Sequence, residues 1–350
     1  MESQQQTVLV TGGSGFIGTN LVRLLLAERP WRVVNLDALT YAGSGRNLTD
    51  LEGEPRYRFV RADICDADAV LSVFSEERPS LVLHLAAESH VDRSIHASAP
   101  FLRTNVEGTR VVLEAAREAK VERFLYCSTD EVYGDLGDQD DPNARFHETT
   151  PINPSSPYAV SKAAGDMLAR AYHRTHGLWV VVTRCSNNYG PYQFPEKLIP
   201  LLISNAMDER PIPVYGDGKN VRDWIHVEDH CRGLLAALER GQAGRSYNFG
   251  GHSERENLQV VKTVLSILGR SEDLIRFVTD RPGHDLRYAI DCERARQELD
   301  WEPRDRFEEW LERTVTWYRE NQTWWRRLKD EGFEDYYRKQ YRDLEDTQET

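Results

Sequence analysis

Short β-rich runs punctuate the first half of the chain at Thr7–Thr11, Arg32–Asp37, Tyr57–Asp63, Leu81–Ala86, Phe124–Ser128 and Trp179–Thr183. Helix-like stretches lie between them, among them Thr19–Ala27 and a periodic run that opens at Asn105 and ends at Ala119. Strands alternating with helices predict an α/β fold with a parallel, doubly wound sheet. Ser156 and Pro157 supply a cap and a pre-set first turn for another helix, and Gly177 supplies its stop. After residue 185 the texture changes to segments broken by Gly190-Pro191, Pro195, Pro200, Pro211, Pro213, Gly216 and Gly218. Such punctuation predicts a smaller, more irregular α/β lobe. The expected division is 1–190 for the first domain and 191–330 for the second, with 224–250, including a helix over His226–Glu239, returning to the first. From Phe307 on, charge mixes with Trp310, Trp317, Trp324 and Trp325, which predicts a packed helix followed by a solvated tail from about Lys329, counted as 331–350.

At 350 residues the chain has room for two domains and an ample core. Its 44 Lys and Arg against 57 Asp and Glu leave a net charge of −13. That balance argues against generic nucleic-acid binding, and an anionic ligand must meet local cations. The five cysteines, Cys65, Cys127, Cys185, Cys231 and Cys292, stand far apart with no C-x-x-C pair. Neither a zinc or other metal site nor a disulfide framework is expected, and a reducing cytoplasm fits. The polar start Met1 to Gln6 runs straight into the first strand, leaving no room for a signal peptide. Nothing approaches the roughly 18 continuous apolar residues of a membrane span.

The segment Thr11-Gly12-Gly13-Ser14-Gly15-Phe16-Ile17-Gly18 joins the first strand to the first helix. Gly12 permits the tight turn, Gly15 lets backbone N–H groups approach a pyrophosphate, and Gly18 lets helix and strand pack closely, as in a Rossmann dinucleotide fingerprint. A glycine-rich turn also occurs without a ligand. What sharpens this one is Asp37, about 20 residues on at the end of the second strand, where a carboxylate can accept from ribose hydroxyls. A 2′-phosphate would be repelled there, so NAD is favoured over NADP. Asp63-Ile64 and Ala86-Ala87 suit adenine contact and close backbone approach, as well as plain strand-end packing.

The run Ser128-Thr129-Asp130-Glu131-Val132-Tyr133-Gly134 closes the apolar segment Phe124–Cys127, so its polar groups emerge at the carboxyl end of a buried strand. Ligands of open α/β sheets bind there. Two adjacent carboxyls can divide acid and base work if their surroundings split their pKa values, which is what an elimination of water needs. Tyr158 and Lys162 lie about 6 Å apart along one helix face. An ammonium beside the phenol is expected to pull its pKa, ordinarily about 10, towards the range of a working base. Each pattern alone is also met by an acidic turn or a helix surface pair. Together, above one glycine-rich loop, they point to a joint site.

In these residues the chain resembles the extended short-chain dehydrogenase/reductase family, over about residues 7–320. The matching segments are 11–18, Asp37–Gly43, His84–Arg93, Ser128–Gly134, Tyr158–Lys162, Ser186–Pro191, Pro195–Pro200, Arg222–Asp229 and Asp280–Asp285. Within the family, Asp130 with Glu131 is similar to the nucleotide-sugar 4,6-dehydratases acting on dTDP-glucose. Sister epimerases lack this pair, and decarboxylases and GDP-mannose dehydratases usually carry Ser at Asp130. The resemblance implies a redox-neutral cycle. Tyr158 takes the C4 hydroxyl proton while hydride leaves C4 for NAD, Glu131 removes the C5 proton, Asp130 protonates the departing C6 hydroxyl, and hydride returns to C6. Thr129 would bond the C4 oxygen, and Lys162 the nicotinamide ribose.

The resemblance also adds residues to each end of the site. To the cofactor it gives Phe16, Ile17, Thr40, Leu85, Ser89, Thr104 and Asn188. To the substrate it gives Ser89, Asn187, Lys197, Leu198, Pro213, Tyr215, Asn257 and His284, beside Arg222 and Arg281, which suit bidentate phosphate contacts. It further implies a homodimer built on the helices after Asn105 and Pro157, whose apolar faces (Val112, Leu113, Ala116; Met167, Leu168, Ala171) equally suit core packing. Ser44 and Gln193 stand where the family usually has Asn and His. Two other readings stay open: an epimerase or decarboxylase on the same scaffold, and a dinucleotide-binding scaffold without turnover.

Overall fold

The computed structural model describes residues 5–137, 141, 143–304 and 306–341. Its strands are β1 Thr7–Thr11, β2 Arg32–Asp37, β3 Tyr57–Arg61, β4 Leu81–His84, β5 Arg123–Thr129, β6 Val180–Cys185, β7 Asn187–Tyr189, β8 Ile212–Tyr215, β9 Val221–His226, β10 Ser246–Phe249, β11 Glu254–Glu256 and β12 Ile275–Val278. Seven of them form one sheet in the order β10-β6-β5-β4-β1-β2-β3, with every pairing parallel. Val8, Leu9 and Val10 of β1 and Val33, Val34 and Leu36 of β2 are buried, because helices cover both faces. The strand order turns back on itself between β1 and β4. At such a switch point, loops leaving neighbouring strands part and open a crevice at the carboxyl edge.

The strands expected from the sequence are all present, the first two with the expected ends and the other four with ends shifted by at most two residues. β3 stops at Arg61 and β4 at His84, which frees Asp63-Ile64 and Leu85–Ala87 as loops on the crevice side. The first helix runs Phe16–Glu28, starting earlier than Thr19. A larger correction concerns Asn105, which opens no helix. The helix begins at Ala99–Leu102, widens through a π turn at Arg103–Gly108 and continues as Thr109–Glu118. The wide turn carries the Asn105 amide inward, where its Oδ1 accepts from Glu88 N at 2.8 Å and its Nδ2 donates to Ser161 Oγ at 2.8 Å. A buried amide so tied gains more than regular helix geometry would give it. Ser156 caps the helix Pro157–His176 by accepting from Ala159 N, and Gly177 ends it in the left-handed region at φ 68°.

The remaining strands form two small sheets, β11-β9-β7 and β12-β8. They pack with the helices Leu198–Met207, Asn257–Leu268 and Phe307–Glu320 around Tyr189, Ile203, Trp224 and Trp325. The solvated tail expected from Lys329 is corrected here. Glu331–Gln340 is helical, Phe333 and Tyr337 are buried against Leu201 and Val278, and Gln340 Nε2 donates to Tyr215 OH at 2.6 Å. Its aromatic residues recur at a spacing that one helix face can bury. Residues 342–350 of that expected tail lie outside the described residues, as do 1–4 of the polar start. Among the described residues no helix is long and apolar enough to cross a membrane.

Close approach of backbone sets the loop after β1. A Cβ at Gly18 would stand 2.1 Å from Gly12 O, and one at Gly12 would stand 2.7 Å from Ala86 Cα. Gly18→Ala is therefore expected to cost about 1–3 kcal/mol by overpacking and to weaken NAD binding. Urea unfolding and a cofactor titration read the two effects separately.

Candidate active site

A cavity of about 810 Å³ opens at the carboxyl ends of β1 to β6, and every residue expected to touch the cofactor lines it. These are Gly12, Gly15, Phe16, Ile17 and Gly18 from the first loop, Asp37 and Thr40 after β2, Asp63 and Ile64 after β3, and Leu85, Ala86, Ala87 and Ser89 after β4. Thr104, Tyr158, Lys162 and Asn188 close it. Its fit to a dinucleotide rests on two observations. The helix Phe16–Glu28 has no side-chain cap and no acid in its first turn, so its free N–H groups and positive dipole end face the cavity. At Gly12 and Gly18 backbone approaches so closely that no side chain could intervene. Asp37 is fixed by Ser14 N at 2.9 Å and Leu39 N at 2.8 Å. Burial pushes its carboxyl up, and those two bonds oppose the rise.

Thr129, Asp130 and Glu131 stand where β5 turns into the short 3-10 turn Asp130–Tyr133, with Thr129 Oγ1 accepting from Glu131 N. Asp130 is 2% exposed. Its Oδ1 accepts from Thr129 Oγ1 at 3.3 Å, and its Oδ2 is buried with no hydrogen-bond partner among the described residues. Burial, then the Glu131 and Asp223 charges, push this carboxyl well above the ordinary range. Glu131 is raised too, by burial, but Arg281, Lys197 and Arg222 pull it back. The adjacent carboxyls are thus driven apart, one kept as an acid and the other closer to ionisation.

This split has a consequence for stability. Between the ordinary aspartate value near 3.8 and its raised folded value, Asp130 is ionised in the unfolded chain and protonated in the folded one. The unfolded state then binds fewer protons, so stability falls as pH rises through that window. Asp130→Asn lacks this titration. The variant is expected to match its parent at about pH 4 and to unfold at a higher temperature at pH 8, as read by thermal unfolding at the two pH values.

Tyr158 and Lys162 share the inner face of the helix Pro157–His176 and both line the cavity. The expected lowering of the phenol is corrected. Burial, then the Glu131 charge, holds Tyr158 well above its usual value. Lys162 is turned to the strand instead, its Nζ donating to Cys127 O at 2.7 Å and lying over the Tyr126 ring, and burial lowers it.

Of the substrate candidates, Ser89, Thr129, Asn187 and Lys197 line the cavity. Lys197 Nζ donates to Ser89 O at 2.7 Å, linking the two lobes. Leu198, Pro213, Tyr215, Arg222, Asn257, Arg281 and His284 do not line it and belong to the second lobe. Arg222 is buried and donates to the carbonyls of Asp285 and Val221, each at 2.8 Å, with no carboxylate within ion-pair distance among the described residues. Arg281 pairs with Asp92 at 2.8 Å, Tyr215 OH donates to the same carboxylate, and His284 contacts Asp280. Burial, then Arg281, lowers His284 to about 4. Asn257 Oδ1 is buried without a hydrogen-bond partner among the described residues.

Sequence reasoning missed Glu88 and Glu196, which also line the cavity. Glu196 is buried and paired with Arg93 at 3.0 Å. Both lie inside segments singled out above, and only the packing of one segment on another distinguishes them. The cysteines, far apart in sequence, are not all so in space: Cys127 and Cys185 come together on the cavity floor because β5 and β6 are neighbours. The helix faces expected at a dimer contact also separate. Val112, Leu113 and Ala116 are fully buried in the chain's own core, whereas Met167 is 57% exposed.

A family model described as GDP-mannose 4,6 dehydratase matches residues 9–314. A dTDP-glucose 4,6-dehydratase of Neisseria meningitidis serogroup B is 51% identical over 341 residues, spanning 92% of this chain and 95% of that protein. The crystal structure of a dTDP-glucose 4,6-dehydratase from Streptomyces venezuelae with NAD and TYD bound is 47% identical, with a TM-score of 0.88 over 93% of this chain and all of that one. A UDP-glucose 4-epimerase from Thermus thermophilus in complex with NAD is 30% identical, with a TM-score of 0.83 over 90% of this chain and all of that one. The scaffold is common to both activities.

Proposed function

Because this chain belongs to the extended short-chain dehydrogenase/reductase family, in the branch described by the GDP-mannose 4,6 dehydratase model, we propose that it converts dTDP-glucose to dTDP-4-keto-6-deoxyglucose with NAD, a hydro-lyase step of deoxysugar biosynthesis. The observation that carries this reading is the divided pair Asp130 and Glu131 at the end of β5. An epimerase needs no such acid. Bound NAD supplies a cationic ring that favours phenolate at Tyr158, and it supplies acceptance of the C4 hydride and its return to C6. Tyr158 receives the C4 hydroxyl proton while Thr129 bonds the C4 oxygen. The C4 ketone acidifies C5, Glu131 takes that proton, and Asp130 gives its own to the departing C6 hydroxyl. Glu131 then returns a proton to C5.

The remaining roles follow the same division. Residues 1–190 with 224–250 hold NAD, and 191–330 hold the nucleotide sugar, with Arg222 and Arg281 meeting the diphosphate of an otherwise acidic protein. Arg222 suits this because its charge is buried and not neutralised by a carboxylate. The exposed apolar residues Leu102, Val160 and Met167 supply a homodimer face, and the protein works in the cytoplasm. The test is isotopic. Protein and NAD are incubated with dTDP-glucose deuterated at C4, and the label is expected at C6 of the 4-keto product. Label retained at C4 of an inverted sugar would establish the epimerase instead, and unchanged sugar the scaffold without turnover.

A further inference from the structure

Three buried side chains converge beneath the Tyr158–Lys162 pair that the proposed reaction does not use: Cys127 of β5, Cys185 of β6 and His230 of the helix Val227–Arg240. Their sulfur and nitrogen ligand atoms all lie within 4.8 Å of one another. A disulfide does not explain the convergence. In the β5–β6 register Cys127 faces Thr183 and Cys185 faces Thr129. The two cysteines are thus offset by two residues, which puts their Cα atoms about 8 Å apart, too far for an S–S bond. The three ligand atoms nonetheless gather within 4.8 Å, so small side-chain adjustments would bring them to the roughly 3.5–3.8 Å separations that ligands of one tetrahedral ion keep at metal bonds of about 2.0–2.3 Å.

The imidazole is set up independently of the thiols. Asn188 Nδ2 donates to Ser186 O at 3.0 Å, which turns the amide Oδ1 towards His230 Nδ1 at 2.9 Å. An amide oxygen accepts only, so Nδ1 carries the proton and Nε2 presents a lone pair. That Nε2 is buried and has no hydrogen-bond partner among the described residues, and the whole residue is 0% exposed. Metal-ligating histidines are oriented in the same way, by an acceptor on the far ring nitrogen. Both thiols line the cavity, which gives an ion a way in and leaves a fourth position for solvent.

We propose that Cys127, Cys185 and His230 form a binding site for one thiophilic divalent cation of the Zn²⁺ class, and that its occupancy reversibly inhibits the enzyme. Two thiolates, one neutral imidazole and a solvent ligand suit a borderline-soft ion and exclude Mg²⁺ or Ca²⁺. Inhibition follows from position, because Lys162 Nζ is bonded to Cys127 O and a ligated sulfur would draw that strand end and its lysine away from the catalytic face.

Co²⁺ added to the full-length protein is the probe. One equivalent is expected to give thiolate-to-cobalt charge-transfer absorption with tetrahedral d–d bands, and Cys127→Ser or Cys185→Ser to lose at least half of the charge-transfer intensity. Asn188→Ala, which removes the acceptor behind the histidine, is expected to weaken Co²⁺ binding about 10–100-fold. Should the cysteine variants fail to fold, X-ray absorption of Zn²⁺ on the unaltered protein decides the matter: two sulfurs and one imidazole nitrogen support the site, and a shell of only nitrogen and oxygen overturns it. Zn²⁺ at one equivalent is expected to abolish most turnover, with recovery on adding a chelator. Stoichiometric binding with undiminished turnover would overturn the inhibitory role.

Discussion

Glu131→Gln is expected to retain cofactor binding and C4 oxidation, to build up the absorbance of reduced nicotinamide, and to lose dehydrated product by about a hundredfold to ten-thousandfold. The reason lies in which proton each group can reach and hold. Glu131 lines the cavity and is drawn back towards ionisation by Arg281, Lys197 and Arg222. Glutamine keeps the shape and removes only the ability to take a proton. Solvent deuterium incorporation at C5 gives a second readout, expected to vanish with product formation. Unchanged product formation would remove Glu131 from its role. The pH profile follows the same sign: the base must be ionised, so kcat/KM is expected to fall on the acid side as Glu131 becomes protonated, with an acid limb displaced above the ordinary glutamate value because burial raises that group.

Asp166→Asn is expected to destabilise the protein by about 3–5 kcal/mol. Asp166 is 0% and Arg184 1% exposed. The guanidinium donates to both carboxylate oxygens, at 2.8 and 3.2 Å, and to Tyr133 OH at 2.7 Å, which in turn donates to Asn248 Oδ1. Burial opposes the charge on Arg184, and the Asp166 carboxylate outweighs it, leaving the group more firmly protonated than usual. Removing the carboxylate leaves a cation in a place water cannot reach. The network also ties the helix of Tyr158 and Lys162 to β6 and to the turn bearing Asp130 and Glu131, so activity is expected to fall along with stability. Urea unfolding measures the loss. Replacing both partners, as Asp166→Leu with Arg184→Met, is expected to cost less than the single change, because no charge is then stranded. A double variant as unstable as the single one would place the effect in packing.

The likeness to dTDP-glucose 4,6-dehydratases was legible because its carriers are local. Thr11 to Gly18, Ser128 to Gly134 and Tyr158 to Lys162 each depend on spacing within one turn or one strand end, and such spacing survives folding unchanged. The six strands were legible for the same reason, since apolar, β-branched runs between helical stretches have few other ways to be buried. What misled was a side chain whose state depends on segments far away. Tyr158 beside Lys162 reads as a lowered phenol, yet the lysine bonds the carbonyl of Cys127 and burial by the surrounding lobes sets the phenol instead. The charged and aromatic end read as solvated, and the face carrying Phe333 and Tyr337 found a partner only on the second lobe.

By itself, then, the sequence determined the alternation of strands and helices, the glycine-rich loop after β1 and the pairs Asp130–Glu131 and Tyr158–Lys162, because these rest on spacing between near neighbours in the chain. Tertiary structure alone decided the split between Asp130 and Glu131, the buried Arg184 network and the meeting of Cys127 and Cys185 with His230. Each of those depends on the dielectric and the distances created when strands far apart in sequence are laid side by side.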